Sequence, residues 1–154
     1  MGLRVLGIDY GERRIGLAIS DATRTLARPL TTLRLDRSEQ AVARVAAEID
    51  RLSSEEDGLA AVVVGLPSRL DGTPSDQTAR VAAFVDALKA RTSLPVAQID
   101  ERLTSHEANL RLSVRERDWK RRKERLDAAA AAIILQDYLD LGAGEAGGAG
   151  GTGG

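Results

Sequence analysis

Residues 60–64 read Ala-Ala-Val-Val-Val, apolar at every position rather than at alternate ones. A run this short and β-branched suits a strand, and a strand apolar on both sides must be covered on both sides. That is the habit of parallel strands in sheets flanked by helices. The rest of the chain supplies the partners. Leu3 to Ile8 and Ile15 to Ser20 are two more apolar runs, joined by so few residues that an antiparallel hairpin is expected. Ala27 to Leu35 reads as a third strand, with Pro29 favouring an edge position. Asp36 to Leu52 carries Val42, Val45, Ala46 and Ile49 on one helical face, with Ser38 as its candidate cap. Gly65 to Ser75 has the Gly, Pro and Asp-Gly chemistry of a loop. Helical periodicity resumes from Ser75 to Arg91, Pro95 to Ile99 is a short strand, and helices are expected at Ser105 to about Leu112 and at Leu126 to Leu141. The strands come first and then alternate with helices. This order predicts an α/β fold, a mixed sheet with helices on its faces.

At 154 residues the chain suits one domain, 1–141, followed by a Gly-rich tail, 142–154, expected to be disordered. Hydrophobic residues make up 43%, with few aromatics, so aliphatic residues and Ala must pack the core. Cysteine is absent, which removes disulfides, thiolate metal sites and cysteine nucleophiles together. No apolar run approaches the roughly 20 residues that span a bilayer, and the N-terminus lacks the apolar region of a signal peptide. The expectation is a cytoplasmic protein with no membrane partner. The net charge of −1 argues neither for nor against nucleic acid, leaving that to local patches.

Four acids stand where apolar segments begin or end: Asp9, Asp71, Glu101 and Asp127. If the first strand and the 95–99 strand run parallel and close together in the sheet, Asp9 and Glu101 reach the same sheet edge, where ligand chemistry gathers in such folds. A helix over that edge brings in Asp127. Converging carboxylates repel unless a cation or protons neutralise them, and hard oxygen ligands favour Mg²⁺ or Mn²⁺. Two such ions could activate water and stabilise a leaving oxygen at a phosphodiester. Each acid also has a plainer reading. Asp9 can close an Asp-x-Gly turn, Glu101 can pair with Arg102 or yield to Asp100, Asp127 can cap its helix, and Asp71 can serve the Asp-Gly turn.

Four segments in order resemble the YqgF/RuvX family. They are Gly7-Ile8-Asp9-Tyr10-Gly11-Glu12-Arg13-Arg14-Ile15-Gly16-Leu17-Ala18, then Val64-Gly65-Leu66-Pro67 with Asp71-Gly72 and Gln77, then Asp100-Glu101-Arg102-Leu103-Thr104-Ser105, and finally Leu126-Asp127 running into the Ala-rich helix. The resemblance spans about Leu3 to Leu141 and implies a ribonuclease-H-like fold. It carries the catalytic and metal-binding roles onto Asp9, Glu101 and Asp127, with Mg²⁺ or Mn²⁺ as cofactor. The implied reaction is metal-assisted phosphodiester hydrolysis. The implied substrates are the precursor of 16S ribosomal RNA or, alternatively, branched DNA at a Holliday junction.

Candidate nucleic-acid contacts are Arg13 and Arg14 at the hairpin turn, Gly65 through its backbone, Arg102, and Arg121 and Arg122. The last two lie in a stretch from Arg111 to Arg125 with eight basic residues against three acidic. A solvated basic face is the competing account of that stretch, and Trp119 within it either stacks on a base or anchors the segment. Gln77 and Thr104 are possible polar supports, and the single histidine, His106, is a weak candidate base. Two other functions stay open: a phosphotransferase-like domain of the actin and sugar-kinase kind, for which the chain is short, and a non-catalytic nucleic-acid-binding regulator. Junction cutting would want a symmetric homodimer and RNA trimming would not, so both monomer and homodimer remain.

Overall fold

The structure is a computed structural model. It describes residues 2–66, 76–100 and 119–144, without the side chains of 76, 77, 100, 119–126, 143 and 144. Five strands form one sheet: β1 (Arg4–Asp9), β2 (Arg14–Ser20), β3 (Ala27–Arg34), β4 (Leu59–Leu66) and β5 (Val96–Asp100). The described helices are α1 (Ala41–Ser53), preceded by a 3₁₀ turn at Ser38–Gln40, then α2 (Asp76–Lys89) and α3 (Trp119–Gly144). The strand order is β3-β2-β1-β4-β5. β1 pairs antiparallel with β2 and β2 with β3, whereas β4 runs parallel to both β1 and β5. The sheet is therefore mixed, and β3 stands at its edge beyond the hairpin.

Two cores sandwich the sheet. On one face Leu6, Ile8, Ile15, Leu17, Val62 and Val64 meet Val45, Ile49 and Leu52 of α1 and Val81, Val85 and Leu88 of α2. On the other, Val5, Ala18, Val63 and Ile99 meet Ala131, Ile134, Leu135 and Leu139 of α3. Val62, Val63 and Val64 are all fully buried because they alternate between the two cores. This is the two-sided burial that the run at 60–64 demands.

α3 lies unusually close to the sheet because two glycines make room. A Cβ on Gly7 would come 2.7 Å from the Leu135 Cβ, and one on Gly16 would come 1.8 Å from the Asp127 carbonyl oxygen. Real Cβ atoms do not approach that closely. Asp127, Ala131 and Leu135 recur every four residues, so one stripe of α3 rests on β2 and then on β1.

Several boundaries differ from the sequence-based expectation. α1 is preceded by the 3₁₀ turn, and Ser38 does not cap it. Instead, the Gln40 side-chain oxygen accepts from the Asp36 and Arg37 backbone N–H groups at 3.0 and 3.3 Å. α3 begins at Trp119 rather than Leu126, because Lys120 to Arg125 are all strong helix formers and extend it backwards. It also runs on through Gly144, three residues into the stretch expected to be disordered. Gly65 lies inside β4, paired with Ile99, rather than in the following loop. The loop expected at 67–75, the helix expected at 105–112 and residues 145–154 lie outside the described residues. Among the described residues, no helix is long and apolar enough to cross a membrane.

Candidate active site

β1 is the central strand, and its last residue is Asp9. Asp9 follows Val5 and Gly7 in the two-residue alternation, which puts it on the α3 face. Its cross-strand partner on β2 is Gly16. Directly paired residues of antiparallel strands project to the same face, so the missing Gly16 side chain leaves space beside Asp9. The Asp127 backbone fills that space. The two acids, 118 positions apart in sequence, therefore meet at the same sheet end, about one strand spacing apart.

Arg14, two residues before Gly16 on the same face, completes the contact. Its Nε donates to Asp127 Oδ2 at 2.7 Å. Both side chains are about one-quarter exposed, at 28% and 24%, so this ion pair is partly shielded. Arg14 was expected to hold substrate phosphate; its contact in the structure is with the acid. Asp127 was read as a possible helix cap, but it lies two turns inside α3, so capping is excluded as its role.

β5 runs parallel to β1 with β4 between them, so the supposed shared direction holds while the strands are not neighbours. The lateral separation is about 10 Å, two strand spacings. Gly65 stands between, in register with Ile99 and one residue beyond the Ile8–Val64 pair. It lies buried in line with Asp9 and puts no side chain into the gap. Its backbone belongs to the sheet ladder rather than to an open loop. Glu101, Arg102, Thr104, His106 and Asp71 lie outside the described residues, as do the side chains of Gln77, Trp119, Arg121 and Arg122. Arg13 is exposed on the hairpin turn.

The opposite side of the strand end is built differently. Tyr10 packs on Phe84 of α2, with ring centroids 4.7 Å apart and planes inclined by 37°. Arg80 of α2 pairs with Glu12 of the turn. Burial, with Glu12 nearby, raises the Tyr10 hydroxyl above its usual pKa, and Arg80 partly offsets this. These contacts pin the β1–β2 turn to α2 and so fix the end of β1 that carries Asp9.

The signals missed in the sequence were Gly7 and Gly16, which read there only as parts of a motif, and the pairing of Arg14 with Asp127. A glycine on the helix-facing side of a strand is the signal that could have located both helix seats.

A family model described as RuvX, Holliday junction resolvase, matches residues 3–141. A protein of Chloroflexus aggregans named "Putative pre-16S rRNA nuclease" is 47% identical over 136 residues, covering 88% of this chain and 92% of its own. One of the same name from Roseiflexus sp. is 41% identical over 137 residues, covering 89% and 94%. Among solved structures, Thermus thermophilus RuvC in complex with a Holliday junction substrate aligns with a TM-score of 0.53 at 18% identity, covering 89% of this chain and 93% of that one. That likeness concerns the fold, which is ribonuclease-H-like.

Proposed function

The chain belongs to the RuvX family, and from that premise we propose that it is a divalent-metal-dependent nuclease, acting on the precursor of 16S ribosomal RNA. The relatives' shared name supports this substrate. The observation that carries the chemistry is the seating of Asp127 on Gly16, the cross-strand partner of Asp9. Two acids are thereby gathered at one strand end of the sheet.

The donor set fits a hard cation. Carboxylate oxygens are the ligands Mg²⁺ and Mn²⁺ prefer, and Asp9 and Asp127 supply them among the described residues. Asp9 and Asp127 would hold the metal, with Glu101 as the third ligand. In support, Ala97 and Ile99 of β5 face α3, and Glu101 directly follows β5 in the sequence. When bound, the metal would lower the pKa of a water and stabilise charge on the scissile phosphate. The protein's part is to aim the acids. β1 presents Asp9, and the glycine seat and Arg14 fix Asp127. Arg13, Arg102, Arg121 and Arg122 are proposed to contact the nucleic acid.

The test is Asp9→Asn, assayed on pre-16S RNA and on junction DNA with Mg²⁺, with circular dichroism as the folding check. Loss of Mg²⁺-dependent cleavage in a folded variant is expected. Rates equal to those of the parent would remove Asp9 from the chemistry. The alternative, junction resolution, is supported by the description of the matching family model. Preferential cleavage of junction DNA by the parent would favour it.

A further inference from the structure

The end of the sheet opposite the acids carries surface that the fold itself does not cover. It is formed by the starts of β1, β4 and β5 and by the β2–β3 hairpin. Among the described residues, the large apolar side chains left exposed are Leu3, Leu26 and Leu141, at 43%, 66% and 49%. Leu3 precedes β1, Leu26 precedes β3, and Leu141 lies just beyond Leu139, which shares a core with Val5. All three therefore stand at this end of the sheet.

On the β3 side of β1 the chain builds a knob. The Asp21 carboxylate gathers the turn, accepting from the Thr25 and Leu26 N–H groups and from the Thr23 hydroxyl. Gln136 of α3 clamps its base, donating to the Thr25 carbonyl and accepting from the Ala27 N–H, both at 2.9 Å. Arg24 at the tip has a φ of 57°, a left-handed conformation that residues other than glycine take only when their surroundings impose it. So held, the knob presents Arg24 and Leu26 to solvent, and the exposed Arg28 follows on β3. Neither arginine side chain has an ion pair or hydrogen bond among the described residues.

On the β4 side of β1 lies a socket of about 480 Å³. Ile49, Leu59 and Leu94 give it an apolar lining, and Asp50, Glu55 and Glu56 an acidic one, against one arginine, Arg91. Glu55 is held by Arg4 and Arg51, whereas Asp50 and Glu56 have no ion pair among the described residues. The socket adjoins the C-terminus of α1, where the helix dipole favours positive charge. Knob and socket are thus complementary in sign, and each offers an apolar surface to the other.

We propose that this end of the sheet is the contact face of a homodimer, in which the Arg24–Leu26 knob of each copy enters the socket of the other. Knob and socket lie on opposite sides of β1, so one two-fold rotation, with Leu3 and Leu141 between, makes both contacts at once and closes the assembly at two copies. The pairing needs neither metal nor substrate, so it stands or falls independently of the nuclease reading. It sets the two Asp9–Asp127 sites at the far ends of the dimer, an arrangement suited to separate cuts rather than to paired cuts in one junction.

The test is sedimentation velocity of the full chain in EDTA, from micromolar to millimolar concentration. The parent should pass from the mass of one chain to that of two, and no further. Arg24→Glu and Glu56→Arg should each weaken association about ten-fold or more, because the symmetry makes every reversal count twice. Leu26→Ser should weaken it comparably. All three positions are exposed, and circular dichroism establishes that each variant is folded. An equal mixture of the Arg24→Glu and Glu56→Arg proteins decides the geometry. Altered knob then meets altered socket, and native knob meets native socket, so the mixture should dimerise about as tightly as the parent. A parent that keeps the mass of one chain overturns the proposal. So do single variants that associate like the parent, and a mixture no tighter than its components. A mass that rises past two chains shows open head-to-tail pairing and overturns the two-fold arrangement.

Discussion

Replacing Arg14 by Gln removes the guanidinium that holds Asp127 at 2.7 Å across 113 residues of chain. Hydrogen bonds to charged groups contribute roughly 1.5–3 kcal/mol, whereas fully exposed ion pairs contribute about 0–1 kcal/mol. With the two side chains 28% and 24% exposed, this pair falls between those limits, and about 1–2 kcal/mol is the expected contribution. For a domain of this size, that lowers the melting temperature by about 3–6 °C. The informative measurement is a double-mutant cycle by urea unfolding in EDTA, with Arg14→Gln, Asp127→Asn and both together. Asn keeps the shape of Asp and removes its charge, so the cycle isolates the charged part of the contact. A coupling of about 1 kcal/mol is expected. Losses that add to within roughly 0.4 kcal/mol would show that the two side chains do not communicate, and would refute the role given to Arg14 in fixing the acid.

Gly16→Ala is expected to cost about 1–3 kcal/mol, because the new methyl group meets backbone rather than a movable side chain, and thermal unfolding checks it. A variant as stable as the parent would mean that α3 does not rest on β2 as described. A separate effect concerns pH. Asp21 Oδ1 accepts from the Thr25 and Leu26 N–H groups and its Oδ2 from the Thr23 hydroxyl. Chiefly the Thr25 bond, then the Thr23 bond, lowers its pKa below 3.8. Since the folded value is depressed, the stabilisation is present above pH 3.8 and disappears as the pH falls through the folded pKa. Asp21→Ala should therefore narrow its stability gap to the parent below about pH 4, read from melting temperatures across an acid series. A constant gap would contradict the assignment.

What could be read from the sequence was mostly what periodicity encodes. The all-apolar run at 60–64 announced a strand covered on both sides, and the short link between Ile8 and Ile15 announced the hairpin. Asp9 was legible because it ends such a run. The start of α3 was not, because Lys120 to Arg125 carry charge without an apolar stripe, and their helicity comes from propensity and continuity with the helix that follows. The Gly65 boundary was misread because Gly followed by Leu-Pro carries turn chemistry, while the parallel ladder with β5 holds it in a strand. The Arg14–Asp127 pair leaves no local mark, because it forms only when α3 is laid across β1 and β2.

The two glycine seats make the phase of α3 a fixed quantity. Asp127 is indexed to β2 by its backbone and Leu135 to β1 by its side chain, so the direction in which the acid points is set by counting residues along the helix. One residue inserted between Asp127 and Ala131 would turn everything before it by about 100°, carrying Asp127 off its seat with the core beyond it unchanged. Length in this helix is thus under as tight a constraint as chemistry, and a chain could lose its acidic pair without any acid being replaced.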